Sequence, residues 1–246
     1  MEWTLKTSLG GKSAIEAGLG IRAETIRFFS SKDFLDRLEA VLAGEPLADV
    51  IELPGALRAR DVLSDMAQDQ NWAEEHWTIS DEGTVELVDQ RRFERAEPRH
   101  RFSVSDTLRR PSADAYALRG LLSGLHSPVV LDAFSAVAGT RGAGYKSADI
   151  ARYRPGHYLR RHDDLYDGRL FGLVFFVHEG WKPEYGTHLI AEKPDGRCQV
   201  VPPKAASVAM MRLAGGHFHQ VQPNLSAEWH RYSLAVHFGV GASDGE

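Results

Sequence analysis

Cysteine is almost missing from this chain. Cys198 stands alone among 246 residues, so no internal disulfide can form. A fold without such a staple must be held by its core, and 43% hydrophobic residues suffice to build one. No apolar run reaches the roughly 18–20 residues that cross a bilayer. The opening stretch MEWTLKTSLGGKSAIEAG lacks a basic segment followed by an apolar one, so no signal peptide is read. A strong charge of one sign is missing too. With 29 basic and 34 acidic residues the formal net charge is -5, which argues against a general nucleic-acid binder. Repeats, low-complexity tracts and Gly/Ser- or Pro-rich linkers are absent, which argues against separately tethered domains. The expectation is a cytoplasmic protein of one structural unit that engages neither membrane nor nucleic acid.

What is present divides near residue 145. In residues 1–30 the run RAETIRFF reads as a strand. Ser31-Lys32-Asp33 reads as a helix start, followed by Phe34, Leu35, Leu38, Val41 and Leu42 at helical spacing until Gly44 and Pro46. Leu57 through Asp69 predicts a second helix with Leu57, Val62, Leu63 and Met66 toward the core. Residues 74–112 are polar, with strand-like pieces TVELV and HRFSV, and suggest a lid or substrate-binding loop. Residues 114–138 predict helix broken near Ser127-Pro128. Beyond 145, ADIARY, HYLRRHDD, LFGLVFFVHE, THLIAE, RCQVV, ASVAMMRL, HFHQVQ and WHRYSLAVHFG are short β-rich runs between turns. The expected fold is mainly β with helical support. A helical and mixed region, 1–144, packs on a double-stranded β-helix (jelly-roll or cupin-like) core, 145–246.

The chemistry concentrates at His162-Asp163-Asp164. On a strand, His162 and Asp164 point to one face. His219 follows 55 residues after Asp164 and can meet them across a barrel. Two imidazoles and a carboxylate hold non-haem Fe(II) with coordination positions left open. The same set binds Zn²⁺ in hydrolases. Among 11 histidines an H-x-D triplet is weak alone. Asp163 competes as ligand if the register slips, and His217 has the same parity as His219.

The surroundings carry a resemblance. YRPGHYLRRHDD (153–164), GLVFFVHEGW (172–181), GTHLI (186–190), VVPPKAASVAMM (200–211), HQVQP (219–223) and RYSLAVHF (231–238) resemble the catalytic core of 2-oxoglutarate- and Fe(II)-dependent oxygenases, prolyl-4-hydroxylase-like branch. The likeness spans about residues 145–239. It implies that His162, Asp164 and His219 are catalytic metal ligands. It implies that Arg231, twelve residues after His219, pairs with the far carboxylate of 2-oxoglutarate, with Tyr153 and Ser233 beside it. Fe(II), 2-oxoglutarate and O₂ are then the cofactor and cosubstrates. A guanidinium fork suits a carboxylate, and Arg231 and Ser233 share a strand face.

The chain departs from the family where Gly-Gly-x-Leu is common. It has Gly186-Thr187-His188-Leu189, placing a hydroxyl near the expected site mouth. Asp164 stands where halogenating members have a small residue, which favours hydroxylation. Arg152, Arg154, Arg160, Arg161, Arg169 and Arg212 suggest an anionic small-molecule substrate, such as an amino acid or related metabolite. Arg160 shares parity with His162, and Trp181, Thr187 and His188 are read as shaping the entrance. The alternatives are a prolyl-type peptide or protein hydroxylase, a desaturase or epimerase, and a non-enzymatic cupin-like binding protein. The intact His162, Asp164, His219 and Arg231 argue against the last.

Overall fold

In a computed structural model, the described residues are 3–57, 59–140, 142–213 and 215–240. The stretch read as an opening strand is the end of a long helix, α1 (Trp3–Phe29). Ile21, Thr25 and Phe29 recur every four residues and are all buried, and the Thr25 hydroxyl donates to the Ile21 carbonyl. The β-branched residues that suggested a strand are overridden by a buried helical stripe. α2 (Lys32–Ala43) begins as expected. Ser31 Oγ accepts from the Phe34 amide, and Gly44 closes the helix at φ +99°. α3 (Ala59–Gln68), α4 (Gln90–Arg95) and α5 (Tyr116–Leu125) follow. α6 (Pro128–Val137) is capped by Ser127 with Pro128 in its first turn, so the break falls at the expected dipeptide.

The strands are β1 (Ala48–Glu52), β2 (Trp72–Ile79), β3 (Val85–Val88), β4 (Arg101–Leu108), β5 (Ala143–Tyr153) and β6 (Tyr158–His162). They continue with β7 (Arg169–Phe176), β8 (Leu189–Glu192), β9 (Cys198–Val201), β10 (Ser207–Arg212), β11 (Phe218–Val221) and β12 (Arg231–Val240). They form one antiparallel sheet in the order β1-β10-β7-β12-β5-β4-β6-β11-β8-β9, with the β2–β3 hairpin added at β4. The sheet curls until its ends nearly meet. Gln199 of β9 bridges the seam, its amide accepting from Ala48 N at 3.1 Å and donating to Ala48 O at 2.6 Å. This is the jelly-roll core with flanking helices. Strands from before residue 145 belong to it, since β1 and β4 are in the barrel. The polar region 74–112 contains β2, β3, α4 and β4 and is built into the sheet.

Alternation on each strand feeds two cores. Phe171, Leu173, Phe175, Val208, Met210, Leu234, Val236 and Phe238 face the helices. Val174, Phe176, Ala209, Met211, Leu189, Ala191, Val221 and Tyr153 fill the barrel. No single helix among the described residues is long and apolar enough to cross a membrane. The α5–α6 pair passes that test together, bent by 46°, and turns buried Leu118, Leu121, Leu125, Val130 and Phe134 into the helix-side core.

Candidate metal centre and carboxylate pocket

Antiparallel pairing of β6 with β11 sets His219 directly opposite His162, with ring centroids 4.0 Å apart. Asp164 is not on β6. The strand ends at His162, and the aspartate turns back through a left-handed backbone, φ +53°, which aspartate tolerates better than most residues. The strand-face argument for His162 and Asp164 is thereby corrected, although the residues still converge. Asp164 Oδ1 lies 3.7 Å from His162 Nε2, and Oδ2 lies 3.3 Å from His219 Nε2. One ligand atom from each of the three falls within 4.8 Å of the others. His162 Nδ1 donates to the Arg160 carbonyl at 2.8 Å, which leaves the Nε2 lone pair for a metal.

The electrostatics suit a cation. Burial, then the neighbouring His162, brings His219 down to about 4, so it is neutral near pH 7, as a ligand must be. Burial pushes the Asp164 carboxyl up. The three imidazoles that surround it, His162, His219 and His237, outweigh that and hold it well below the usual carboxylate range. Two partners of Asp164 were not foreseen in these roles. His237 Nε2 is 3.3 Å from Oδ2 and Arg169 Nη1 is 3.4 Å from Oδ1. Arg169 Nη2 also donates to Ser147 Oγ, and His237 Nδ1 meets the same hydroxyl. The signal for His237 lay in β12, where it shares a face with Arg231, Ser233 and Ala235.

Among the described residues Arg231 is the largest side chain that is fully buried, at 1% exposure. Its guanidinium carbon lies 5.3 Å from the Tyr153 ring and 5.0 Å from the Phe176 ring. Nη1 donates to the Thr187 carbonyl at 2.7 Å, and Nε has no partner. Among the described residues no carboxylate pairs with it. Burial lowers its pKa to about 10, which leaves it charged near neutrality. A buried cation without a counter-charge is costly, so the pocket fits an anionic group. Tyr153 lies directly across from Arg231 in the β5–β12 pairing, and Ser233 is buried two residues on. Burial raises the Tyr153 phenol, which stays protonated and able to donate.

The substrate candidates fare differently. An irregularity between β6 and β11 pairs Leu159 with Val221 and His162 with His219. Leu159 packs inside the barrel, so period-two parity from Arg160 to His162 is lost. Arg160 instead reaches the Arg99 carbonyl at 2.6 Å. Thr187 is fully buried at φ +56° and lies against Arg231, not at the mouth. Trp181 donates to the Gly186 carbonyl, His188 bonds Gln222, and the two rings meet edge to face. The other arginines are engaged as well. Arg152 and Arg154 hold Asp106, Arg161 holds Glu192, and Arg212 donates to the Leu42 carbonyl. Glu74, Asp106 and His157 form a second cluster of possible ligands. Arg152 on Asp106, and Arg154 on both acids, supply the positive charge there, so it is read as structural.

Residues 148–239 match the 2OG-Fe(II) oxygenase superfamily. No curated protein sequence matches the chain. Among solved structures, the fold is similar to a prolyl hydroxylase from Trichoplax adhaerens in complex with a hypoxia inducible factor peptide fragment. The TM-score is 0.60 and identity 15%, over 85% of this chain and 93% of that one. A Pseudomonas putida prolyl-4-hydroxylase aligns with TM-score 0.56 and 20% identity, over 82% of this chain and 98% of that one. A 2OG-Fe(II) oxygenase family oxidoreductase from Burkholderia pseudomallei aligns with TM-score 0.53 and 17% identity, over 88% and 96%. At these identities the likeness establishes the fold. It also corrects the expected small-molecule partner, because what the Trichoplax protein holds is a peptide. Arg152, Arg154 and Arg161 are each paired with a carboxylate, which removes much of the charge on which the small-anion expectation rested.

Proposed function

We propose that this chain, which belongs to the 2OG-Fe(II) oxygenase superfamily, hydroxylates a residue held within a peptide or protein, with proline the favoured class. The observation that carries the reading is Arg231, a buried cation lacking a carboxylate partner among the described residues, in the same barrel as the His162, Asp164 and His219 cluster. His162, Asp164 and His219 would hold Fe(II). Arg231, with Tyr153 and Ser233, would hold the far carboxylate of 2-oxoglutarate. When bound, iron and 2-oxoglutarate supply the activation of O₂ that oxidises an unreactive C–H bond. The chain's own part is to fix the ligands and to bind the carboxylate away from water. His162 is oriented by the Arg160 carbonyl, and Asp164 is held by His237 and Arg169. A zinc hydrolase would have no use for Arg231.

Peptide substrates are supported by the lip of the centre. His162 and Asp164 keep 17% and 12% side-chain exposure, and the next residues, Leu165 and Tyr166, are exposed apolar groups at 44% and 56%. An extended chain laid across that lip would bring one side chain to the metal. The test incubates the protein with Fe(II), 2-oxoglutarate and a library of proline-containing peptides, with free amino acids alongside. A mass gain of one oxygen on a peptide, absent in Asp164→Ala, is expected. Oxidation of free amino acids alone would overturn the peptide reading.

A further inference from the structure

A charge stands where the β5 pattern calls for a barrel-filling side chain. Asp149, Ala151 and Tyr153 share one face of the strand by its period of two. Their partners across the β5–β12 pairing are Ala235, Ser233 and Arg231. Tyr153, Ala151 and Ala235 pack in the barrel cluster, so Asp149 points to the inside as well. A carboxylate buried dry at that position would be costly. Its side chain is instead 61% exposed. The sheet explains the opening. β4 pairs with β5 only at Ala151 and Arg152, and its earlier residues Ser103 and Val104 pair with β6 instead. Among the described residues no strand borders β5 beside Asp149 on that side.

The opening gives onto the metal centre. Asp149 Oδ2 lies 3.4 Å from His237 Nδ1, and His237 Nε2 lies 3.3 Å from Asp164 Oδ2. One imidazole therefore separates this exposed carboxylate from a proposed iron ligand. The Ser147 hydroxyl, on the same strand face, lies 3.4 Å from Asp149 Oδ2 and accepts from Arg169 Nη2 at 2.9 Å. Among the described residues no lysine or arginine forms an ion pair with Asp149. Arg169 keeps only 5% side-chain exposure and turns Nη1 toward Asp164. The Tyr166 ring lies 3.9 Å from its guanidinium carbon. Of these two opposite charges, the carboxylate is the one a bound chain can touch.

We infer that Asp149 selects the substrate: it recognises a lysine or arginine within a few residues of the one hydroxylated, and disfavours an acidic residue there. This deepens the peptide reading above and rests on it. Such a contact gives specificity more than affinity. An exposed ion pair changes affinity by roughly 1.5- to 5-fold, and a like charge repels comparably. Exchanging a basic for an acidic neighbour is then worth about fivefold. Leu165 and Tyr166, exposed at the same lip, offer apolar surface to the methylene stem of a long basic side chain. A role confined to steadying His237 would slow all peptides alike, so the ratio between peptides separates the two.

The experiment uses the full chain with Fe(II), 2-oxoglutarate and paired proline peptides that differ only in carrying Lys or Glu at one position. That position is scanned over about three residues on each side of the proline, a reach suited to side chains flanking an extended chain. The ratio of kcat/KM, Lys peptide over Glu peptide, should reach about fivefold at one position or more and shrink as salt is raised. Asp149→Asn should bring it close to unity, and Asp149→Lys should invert it. Where a variant turns over too slowly, binding of the same peptides to protein loaded with Mn(II) and 2-oxoglutarate supplies the ratio. Oxidation of the peptides by wild type with no charge preference at any position overturns this inference alone, as does a preference that Asp149→Asn leaves unchanged. Wild type that oxidises none of the peptides overturns the function proposed above, and this inference with it.

Discussion

Asp164 reaches the centre through a single left-handed backbone step beyond β6 and is then held from two sides by buried groups. His237 approaches one carboxylate oxygen and Arg169 the other. Partners of this kind commonly contribute ten- to hundredfold in metal affinity. His237→Phe is therefore expected to weaken Mn(II) binding by about tenfold or more, read by metal titration. Unchanged affinity would remove His237 from the site. A second residue-scale effect concerns acid. Burial above all, helped by Arg154 and opposed by Asp106, lowers His157 from 6.5 to about 4. Between those values the unfolded chain takes up a proton that the folded chain refuses. The stability from the neutral ring is thus complete above about pH 6.5 and is lost as pH falls toward 4, on the order of 2–3 kcal/mol. Urea melts at pH 7 and pH 5 should show a smaller loss for His157→Gln than for wild type, and an equal loss would refute the assignment. The convergence of His162, Asp164 and His219 was legible because each is a chemically distinctive side chain in a β-rich context. Arg160 was misplaced because an irregular strand pairing leaves no trace in residue spacing. The burial of Thr187 depends on a turn between distant segments.

Among the helices, α1 and α5 meet at glycines. A Cβ on Gly120 would sit 2.3 Å from the Gly18 carbonyl, and one on Gly124 would sit 2.5 Å from Thr25 Cβ. Gly120→Ala would gain roughly 1 kcal/mol of helix propensity. It would also force two backbones apart, at a cost of about 1–3 kcal/mol or more. A melting temperature lower by about 2–6 °C with unaltered Mn(II) affinity is expected. Equal or greater stability would show that the helices can separate without penalty. This contact also explains why α1 was hidden. Its glycines and β-branched residues argue against helix locally, and only packing against α5 makes them favourable. α2 and α6 were legible because their caps, Ser31 and Gly44, Ser127 and Pro128, are local signals.

At the scale of the molecule, the helices support one face of the sheet while the barrel encloses Arg231 and carries the metal cluster at its lip. The jelly-roll core was readable from eight short β-rich runs. That β1 and β4 join it, and that Gln199 closes its seam, was not, because pairing between segments far apart in sequence has no local signature. The most direct measurement is the visible absorption of the protein with Fe(II) and 2-oxoglutarate under anaerobic conditions. Wild type should develop the metal-to-ligand band of chelated 2-oxoglutarate. Asp164→Ala should not develop it, and Arg231→Ala should need at least about tenfold more 2-oxoglutarate to do so. No band in metal-loaded wild type, or an unchanged requirement in Arg231→Ala, would contradict the assignment of this barrel as an Fe(II) and 2-oxoglutarate site.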